Sequence, residues 1–360
     1  MTGAMREMVG NAGSPHGHGM RAKEAVQQAR DIVGSVVGVR RHEVLFTSGA
    51  TESNNLAILG LAAYGKRVGK KHVIASRIEH KAVLEPLQYL RDQGFEVTLV
   101  PPNPTGQVPF QGMIDALRSD TLLVSLMQVN NETGIRQPIE EVAGAAQARG
   151  VWMHVDAAQG FGRENRALMH PGITLISASG HKIYGPQGIG ALIVRRERNE
   201  LPPLDPLMFG GGQELGLRSG TLPVPLIVGF AKACELAMVE GQYRLERCLA
   251  IRERILAWVH EHGGVIHGER ALALPHVFNV SLPGWEAEEL IEAISPWVSI
   301  SNGSACTSVC ATASHVLSAM GIDGEGLDSA VRWSWSHETD IGALEVALAG
   351  VSELLRRGRT

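Results

Sequence analysis

Cysteine is scarce in this sequence: only Cys234, Cys248, Cys306 and Cys310 occur in 360 residues. Four residues so scattered build no disulfide framework. None of their spacings matches a zinc site, since Cys306 and Cys310 lack a second ligand pair. Long apolar runs are missing too, so nothing reaches bilayer-spanning length, and no charged-then-apolar leader opens the chain. A cytoplasmic protein without a membrane partner is the expectation. Basic blocks are absent as well, and 33 Lys+Arg against 37 Asp+Glu leave a net charge of −4. That excludes a surface tracking phosphates directly; any nucleic-acid role runs through a partner protein. What remains is an ordinary globular composition, long enough for two domains, without internal repeats or low-complexity segments.

Strand-like and helix-like stretches alternate along the first two thirds of the chain. Arg21–Gly38 carries a helical apolar stripe, and Glu43–Phe46 reads as a strand followed by a small-residue turn and a helix over Asn54–Tyr64. Strands follow at Val73–Ser76, Glu96–Val100, Thr121–Gln128, Val151–Val155, Ile173–Ile176 and Ala191–Val194, with helices after His80, near Ile114–Arg118 and over Val142–Arg149. This alternation predicts an α/β fold with a mostly parallel sheet. Gly10–Gly19 and Pro202–Gly220 read as loops. Helices over Leu226–Arg247 and Leu249–His262 lead to a smaller α+β part with strands Phe278–Leu282 and Ala330–Ser334 and helices Ala287–Ile294 and Ile341–Arg356. The expected division is residues 1–20 as remnant arm and loop, 21–238 as large domain, and 239–360 as small domain.

Ligands of such sheets sit beyond the carboxyl ends of the strands, where His80, Asn131, Asp156 and Lys182 all fall. The stretch Ser177–Gly190 delivers Lys182 into a glycine-rich turn between two apolar runs, a setting that desolvates an amine and favours its neutral, carbonyl-attacking form. The turn Thr47–Glu52 opens a helix and is either an anion site or an ordinary cap. Asp156 ends a buried strand and needs a cation or donors; a protonated pyridine nitrogen would serve, and so would capping of the next turn. His80 can stack on a ring or be a satisfied histidine. Gln159 can reach a phenolic oxygen or face water. Arg332 suits a substrate carboxylate or a structural ion pair. Cys306 lies in a Gly- and Ser-rich loop, a setting for a reactive thiolate, whereas Cys234 and Cys248 lie in helices. His16 and His18, without carboxylates nearby, give no metal site.

The segments TSGATESNNLAI, EHKAV, VNNETG, HVDAAQ, SGHKIYGPQGIGAL, RSGTLPV, SNGSACTS and SHVLSAMG occur in the order seen in cysteine desulfurases. The chain therefore resembles that family, pyridoxal-phosphate enzymes of the class V aminotransferase group, in the NifS/IscS-like branch with a long cysteine loop. The likeness runs from about Gly10 to about Ser336. GNAGS, PPLDPLMFGGGQE and VRWSWSH look most like the branch that supplies sulfur for DNA phosphorothioation, DndA. The resemblance implies the fold type I large-domain/small-domain architecture, a homodimer, pyridoxal 5′-phosphate as cofactor and L-cysteine as substrate. It implies a sulfur-acceptor protein as partner. Carried over by position, it makes Lys182 the Schiff-base lysine and α-proton base, Asp156 the partner of the pyridinium nitrogen, His80 the cover of the ring, and Gln159 the partner of the ring oxygen. Ala50, Thr51, Ser179 and His181 would hold the phosphate, with Thr221 reaching across from the second subunit. Asn131 and Arg332 would position the substrate carboxylate, and Cys306 would bear the persulfide.

Departures from the family pattern are also visible. The pattern opens with a short strand and an Ala-Thr-Thr turn that this chain begins after, which reads as a truncated or misassigned start. Thr312-Ala313 stands where Glu-Pro is common, and His337 where many relatives carry Arg. Alternatives stay open at this level: a selenocysteine lyase or aminotransferase on the same fold, or a catalytically weak interaction protein in a sulfur-transfer complex. The acceptor, whether for iron–sulfur assembly, tRNA thiolation or DNA phosphorothioation, also stays open, as does the role of Cys310.

Overall fold

The computed structural model describes residues 1–196, 200–303 and 313–357. It divides into two units: residues 1–100, 110–128 and 137–241 form the first, and residues 101–109, 129–136 and 242 onward the second.

The first unit is built on a seven-stranded sheet. Its strands are β1 (Val44–Thr47), β2 (His72–Ser76), β3 (Glu96–Val100), β4 (Thr121–Ser125), β5 (Trp152–Asp156), β6 (Leu175–Ser179) and β7 (Gly190–Val194), in the spatial order β1-β7-β6-β5-β4-β2-β3. Strand β7 runs against the others, pairing antiparallel with both β6 and β1. The helices are α1 (Thr2–Glu7), α2 (Gly17–Ser35), α3 (Ala50–Leu59), α4 (Ala62–Val68), α5 (Lys81–Asp92), α6 (Phe110–Asp115), α7 (Ile139–Ala148), α8 (Asn165–Leu168) and α9 (Val224–Val239). The inner strands are buried along almost their whole length, which is why they read as unbroken apolar runs rather than as alternation. Leu45, Leu56, Leu61, Val73, Leu87, Leu123, Leu175 and Leu192 belong to one core cluster on this sheet.

Polar groups inside the sheet are matched in pairs. His154 on β5 meets the Ser125 hydroxyl on β4 at 2.8 Å and the Ser177 hydroxyl on β6 at 3.0 Å. His72 does the same with Thr121 and Thr98 across β4 and β3, each at 2.9 Å. The Arg195 guanidinium donates to the carbonyls of Val37, Leu168, His170 and Ile173, joining the turn after α2 to the α8–β6 connection with one side chain.

In the second unit a three-stranded antiparallel sheet, β8 (Val265–His267), β9 (Val277–Ser281) and β10 (Ala330–Ser334) in the order β10-β9-β8, is covered by α10 (Gly241–Glu261) and α14 (Ile341–Arg357). The remaining helices are α11 (Ala287–Ile294), α12 (His315–Ala319) and α13 (Gly324–Asp328). The Trp258 indole fixes α10 to α14, donating to the Ser352 hydroxyl at 2.8 Å.

Element boundaries differ from expectation at several points; the helix expected over Asn54–Tyr64, for one, is two, α3 from Ala50 and α4 from Ala62. Helix α2 starts at Gly17, inside the expected loop, because the His16 ring caps it by accepting from the Gly19 amide at 3.2 Å. Helix α6 is Phe110–Asp115 rather than Ile114–Arg118, since the Arg118 amide turns to the Thr121 hydroxyl and feeds β4. Strand β4 stops at Ser125 rather than Gln128, leaving Gln128 to bond the β5 end. The long helical stretch breaks at Glu240, not near Cys248: Gly241 follows, the poorest helix former after proline, while the apolar stripe runs on past it.

Candidate active site

All parallel strands of the large sheet end at one edge, and β7 starts there. Thr47 and Ser179 both pair with Gly190, and Asp156 is in register with Ser177, so the turns after β1, β5 and β6 leave the sheet side by side.

The turn after β1 leads into α3, whose N-cap residue Gly49 offers no side-chain cap to the first-turn amides. A ten-residue helix with free amides at its start attracts an anion. Ala50 and Thr51 begin it, and the Ser179 hydroxyl lies beside the Gly49 position. The acidic Glu52 in this first turn would oppose an anion. Its carboxylate, however, accepts from the Ser48 amide at 2.8 Å and from Arg218 Nε at 3.0 Å, so its charge is offset within the chain. Burial works against ionisation of Glu52, but these hydrogen bonds and the Arg218 charge outweigh it and hold the carboxyl below its ordinary range. Ser179 Oγ also meets His181 Nδ1 at 2.9 Å; burial and the neighbouring Lys182 charge lower the proton affinity of His181, leaving its ring neutral.

Gly190 is required by this cradle. A Cβ there would stand 2.4 Å from the Ala178 carbonyl and 2.6 Å from Gly49 Cα, both backbone atoms without room to move. Gly190→Ala is expected to push the Gly49 turn outward, costing about 1–3 kcal/mol of stability and weakening anion binding roughly tenfold. Thermal unfolding and a phosphate-ligand titration measure the two effects.

Asp156 is buried at the end of β5. Its Oδ2 accepts from Asn54 Nδ2 at 2.7 Å and its Oδ1 from the Ala158 amide at 3.0 Å. Two neutral donors orient the carboxylate without cancelling its charge, leaving lone pairs for a cation. Gln159 follows in the same turn, which Arg163 ties down by donating to the Gln159 carbonyl at 3.1 Å while its guanidinium lies over the Tyr184 ring at 5.7 Å. Lys182 sits in a 3₁₀ turn, Gly180–Ile183, three residues beyond the last β6 residue. It is half-buried rather than enclosed by the two strands, because the sheet stops at Ser179 and the turn emerges from it. Tyr184, two residues on, adopts a left-handed conformation, φ 67° and ψ 20°, uncommon outside glycine.

His80 caps α5, its Nδ1 accepting from the Ala82 amide at 3.0 Å, which assigns the ring proton of the neutral form to Nε2. The preceding residue, Glu79, is wholly buried. Its Oε1 accepts from Ser76 Oγ at 2.6 Å and from the Met127 amide at 2.9 Å, joining the ends of β2 and β4. Burial, with a smaller push from Asp156, raises its carboxyl to about 8. Burial alone lowers His154 to about 3. Their linkage signs are opposite. His154 binds fewer protons folded than unfolded between its folded value and 6.5, so stability falls as pH drops below 6.5. Glu79 binds more protons folded between 4.5 and about 8, so stability falls as pH rises through that range. The two slopes cancel between 4.5 and 6.5. Each displacement carries on the order of 4–5 kcal/mol. The chain should unfold more readily on both sides of that plateau, and Glu79→Gln should flatten the alkaline side; urea midpoints against pH check this.

The other expected residues are on other segments. Thr221 is exposed, in a loop braced by the Gln213 side chain, which accepts from the Gly220 amide at 2.9 Å. Asn131 and Arg332 belong to the second unit and meet there: Arg332 Nη1 donates to the Asn131 carbonyl at 3.2 Å. Cys306 and Cys310 lie outside the described residues. Cys234 and Cys248 are buried and outside any disulfide, and burial drives the Cys234 thiol far up. Among the described residues no group of three or more His, Cys, Asp or Glu could hold a metal ion, and no helix is long and apolar enough to cross a membrane.

The family model for aminotransferase class V matches residues 2–341. The chain belongs to that family. It is 43% identical over 356 residues to the cysteine desulfurase IscS of Anaeromyxobacter sp. strain Fw109-5, covering 98% of this chain and 87% of the relative. Among solved structures it is similar to DndA from Streptomyces lividans, with 45% identity, a TM-score of 0.84, and coverage of 93% and 94% of the two chains. It is also similar to SspA in complex with cysteine, at 37% identity and a TM-score of 0.79, covering 93% of this chain and 95% of that one. The sheet and the second unit described above match the fold type I architecture of these structures.

Class V family members depend on pyridoxal 5′-phosphate, and the residues here fit that group. The uncapped α3 start beside Ser179 suits a phosphate, and the Asp156 carboxylate with two neutral donors suits a protonated ring nitrogen. Two contributors escaped the sequence reading. Asn54 and Glu79 both lie in family motifs, but a polar residue inside a helix or beside a histidine carries no mark of burial; only the absence of a solvent-facing partner pattern could have raised them.

Proposed function

We propose that this chain is a cysteine desulfurase, converting L-cysteine to L-alanine and collecting the sulfur as a persulfide on Cys306 for an acceptor protein. The observation that carries the reading is that an uncapped helix start, the oriented Asp156 carboxylate and the Lys182 turn all leave the same edge of one sheet. When bound, pyridoxal 5′-phosphate supplies an aldehyde for an amine and a protonated ring that takes up electrons from the substrate α-carbon. The chain's own residues do the rest. Ala50, Thr51, Ser179 and His181 hold the phosphate, with Thr221 of a second copy completing the cradle in a homodimer. Asp156 keeps the ring nitrogen protonated, Gln159 bonds the ring oxygen, and His80 covers the ring face. Lys182 Nζ takes the α-proton. Asn131 and Arg332 hold the substrate carboxylate, the guanidinium in a two-pronged fashion. The Cys306 thiolate bonds to the substrate sulfur as the Cβ–S bond breaks; a proton delivered to Cβ and the return of the α-proton from Lys182 Nζ to the α-carbon complete alanine.

Likeness to DndA supports DNA phosphorothioation as the destination of the sulfur, reached through protein partners, and likeness to IscS supports iron–sulfur assembly. The buried thiols of Cys234 and Cys248, which form no disulfide, suit a reducing compartment such as the cytoplasm. Purified protein given pyridoxal phosphate and L-cysteine should take on a visible absorption band and release alanine with, under reductant, an equal amount of sulfide. A preparation that stays colourless and forms no alanine would sink the reading.

A further inference from the structure

We infer that Asn54 is a positioning residue of this site: its side-chain amide holds the Asp156 carboxylate in the orientation in which that group meets a protonated ring nitrogen. The inference rests on the pyridoxal-phosphate reading above.

Asn54 lies one helical turn into α3, is 1% exposed, and donates through Nδ2 to Asp156 Oδ2 at 2.7 Å. Its orientation is not arbitrary. Turning the amide over would set its oxygen against the carboxylate, so the negative charge dictates which end faces Asp156. The other end shows that the amide serves its neighbour rather than the fold: Asn54 Oδ1 is buried without a hydrogen-bond partner among the described residues. An orphaned buried carbonyl opposes folding, and an apolar side chain of the same size would avoid it. What such a side chain could not do is hold Asp156, whose other carboxylate oxygen, Oδ1, is tied to the Ala158 amide.

The identity of the residue follows from its surroundings. A carboxylate at position 54 would face Asp156 directly, with the buried Glu79 carboxyl already within electrostatic reach of Asp156. Like charges so placed make the pair keep one proton between them, and to the extent that Asp156 carries it, the ring nitrogen would meet a neutral group. An amide supplies the donor without the charge. Because the same helix offers Ala50 and Thr51 at its start, α3 also sets the spacing between the anion cradle and the carboxylate, four residues of rigid helix apart.

The full chain is prepared as wild type, Asn54→Ala, Asn54→Leu and Asn54→Asp. The measurements are the visible spectrum, the half-time of cofactor loss on dialysis, kcat and KM for L-cysteine, and the melting temperature. Asn54→Ala and Asn54→Leu are expected to lower kcat about tenfold with KM little changed and to shed cofactor about tenfold faster, the effect of one charge-assisted hydrogen bond. Asn54→Asp should lose about a hundredfold, and the loss should persist as pH is lowered, since a second proton on the pair leaves Asp156 neutral as well. If Asn54→Leu keeps wild-type kcat and cofactor half-time, whatever its melting temperature, the positioning role is overturned; should the alanine variant fail to fold, the leucine and aspartate variants still decide. A wild type that neither takes up pyridoxal phosphate nor forms alanine overturns the underlying reading instead, and this inference with it.

Discussion

Lys182→Ala should abolish alanine formation, a loss of at least ~10⁴-fold in kcat, while leaving the fold intact. The magnitude follows from losing two contributions together. A positioned base at the α-carbon is worth about 10²–10⁴-fold on its own, and the amine that tethers the cofactor goes with it. Stability should change little, because Lys182 is half-buried in a turn outside the sheet and the burial in that turn falls on Gly180 and Ile183. Surface-like substitutions of this kind usually stay within about 0.5 kcal/mol. The proposed phosphate cradle of Ala50, Thr51 and Ser179 is untouched, so the variant should still bind pyridoxal phosphate reversibly, with the spectrum of an unbonded aldehyde. Amino-acid analysis of the product, melting temperature and visible absorbance test the three parts separately. Alanine release at even a hundredth of the wild-type rate would remove Lys182 from the role of base.

How much of this was legible before folding depends on the element. The inner strands were, because strands buried on both faces are largely apolar, as Leu122–Val124 and Ala191–Val194 are. Placement of His80, Asp156 and Lys182 just past such strands was legible for the same reason, given that parallel strands all end on one side. The direction of β7 was not, since Gly190–Val194 reads alike either way and only its hydrogen bonds to β1 and β6 decide. Nor does composition mark residues 101–109 and 129–136 as part of the second unit. The latter segment is a turn held by the Asn130 side chain, which accepts from the Glu132 and Thr133 amides, and its Gly134 has no room for a Cβ against Val277. That partner lies more than a hundred residues away in the chain. The enclosure expected for Lys182 is partial for a local reason: the short turn after Ser179 carries the residue beyond the two buried strands and leaves it half-buried.

Removing the Asp156 carboxylate should produce the second-largest effect, a drop in kcat of about 10²–10³-fold for Asp156→Ala, in the range seen when one preorganised electrostatic partner is removed from a site. The carboxylate enters this turn with its hydrogen bonds already arranged, by Asn54 and the Ala158 amide. Without it nothing holds a proton on the ring nitrogen, and the electrons from the α-carbon have a poorer place to go. A second consequence separates this account from mere damage to the fold. The negative charge of Asp156 is one of the causes that raise Glu79, so in Asp156→Ala the buried Glu79 should release its proton at a lower pH. Stability falls with rising pH only until the folded state has lost that proton. The alkaline fall should therefore level off at a lower pH than in the wild type. Urea midpoints against pH would show that displacement, and Glu79→Gln in the same background should erase it. An Asp156→Ala variant with near-normal kcat would mean that the ring nitrogen does not depend on this carboxylate, and the site would have to be assigned afresh around Lys182 alone.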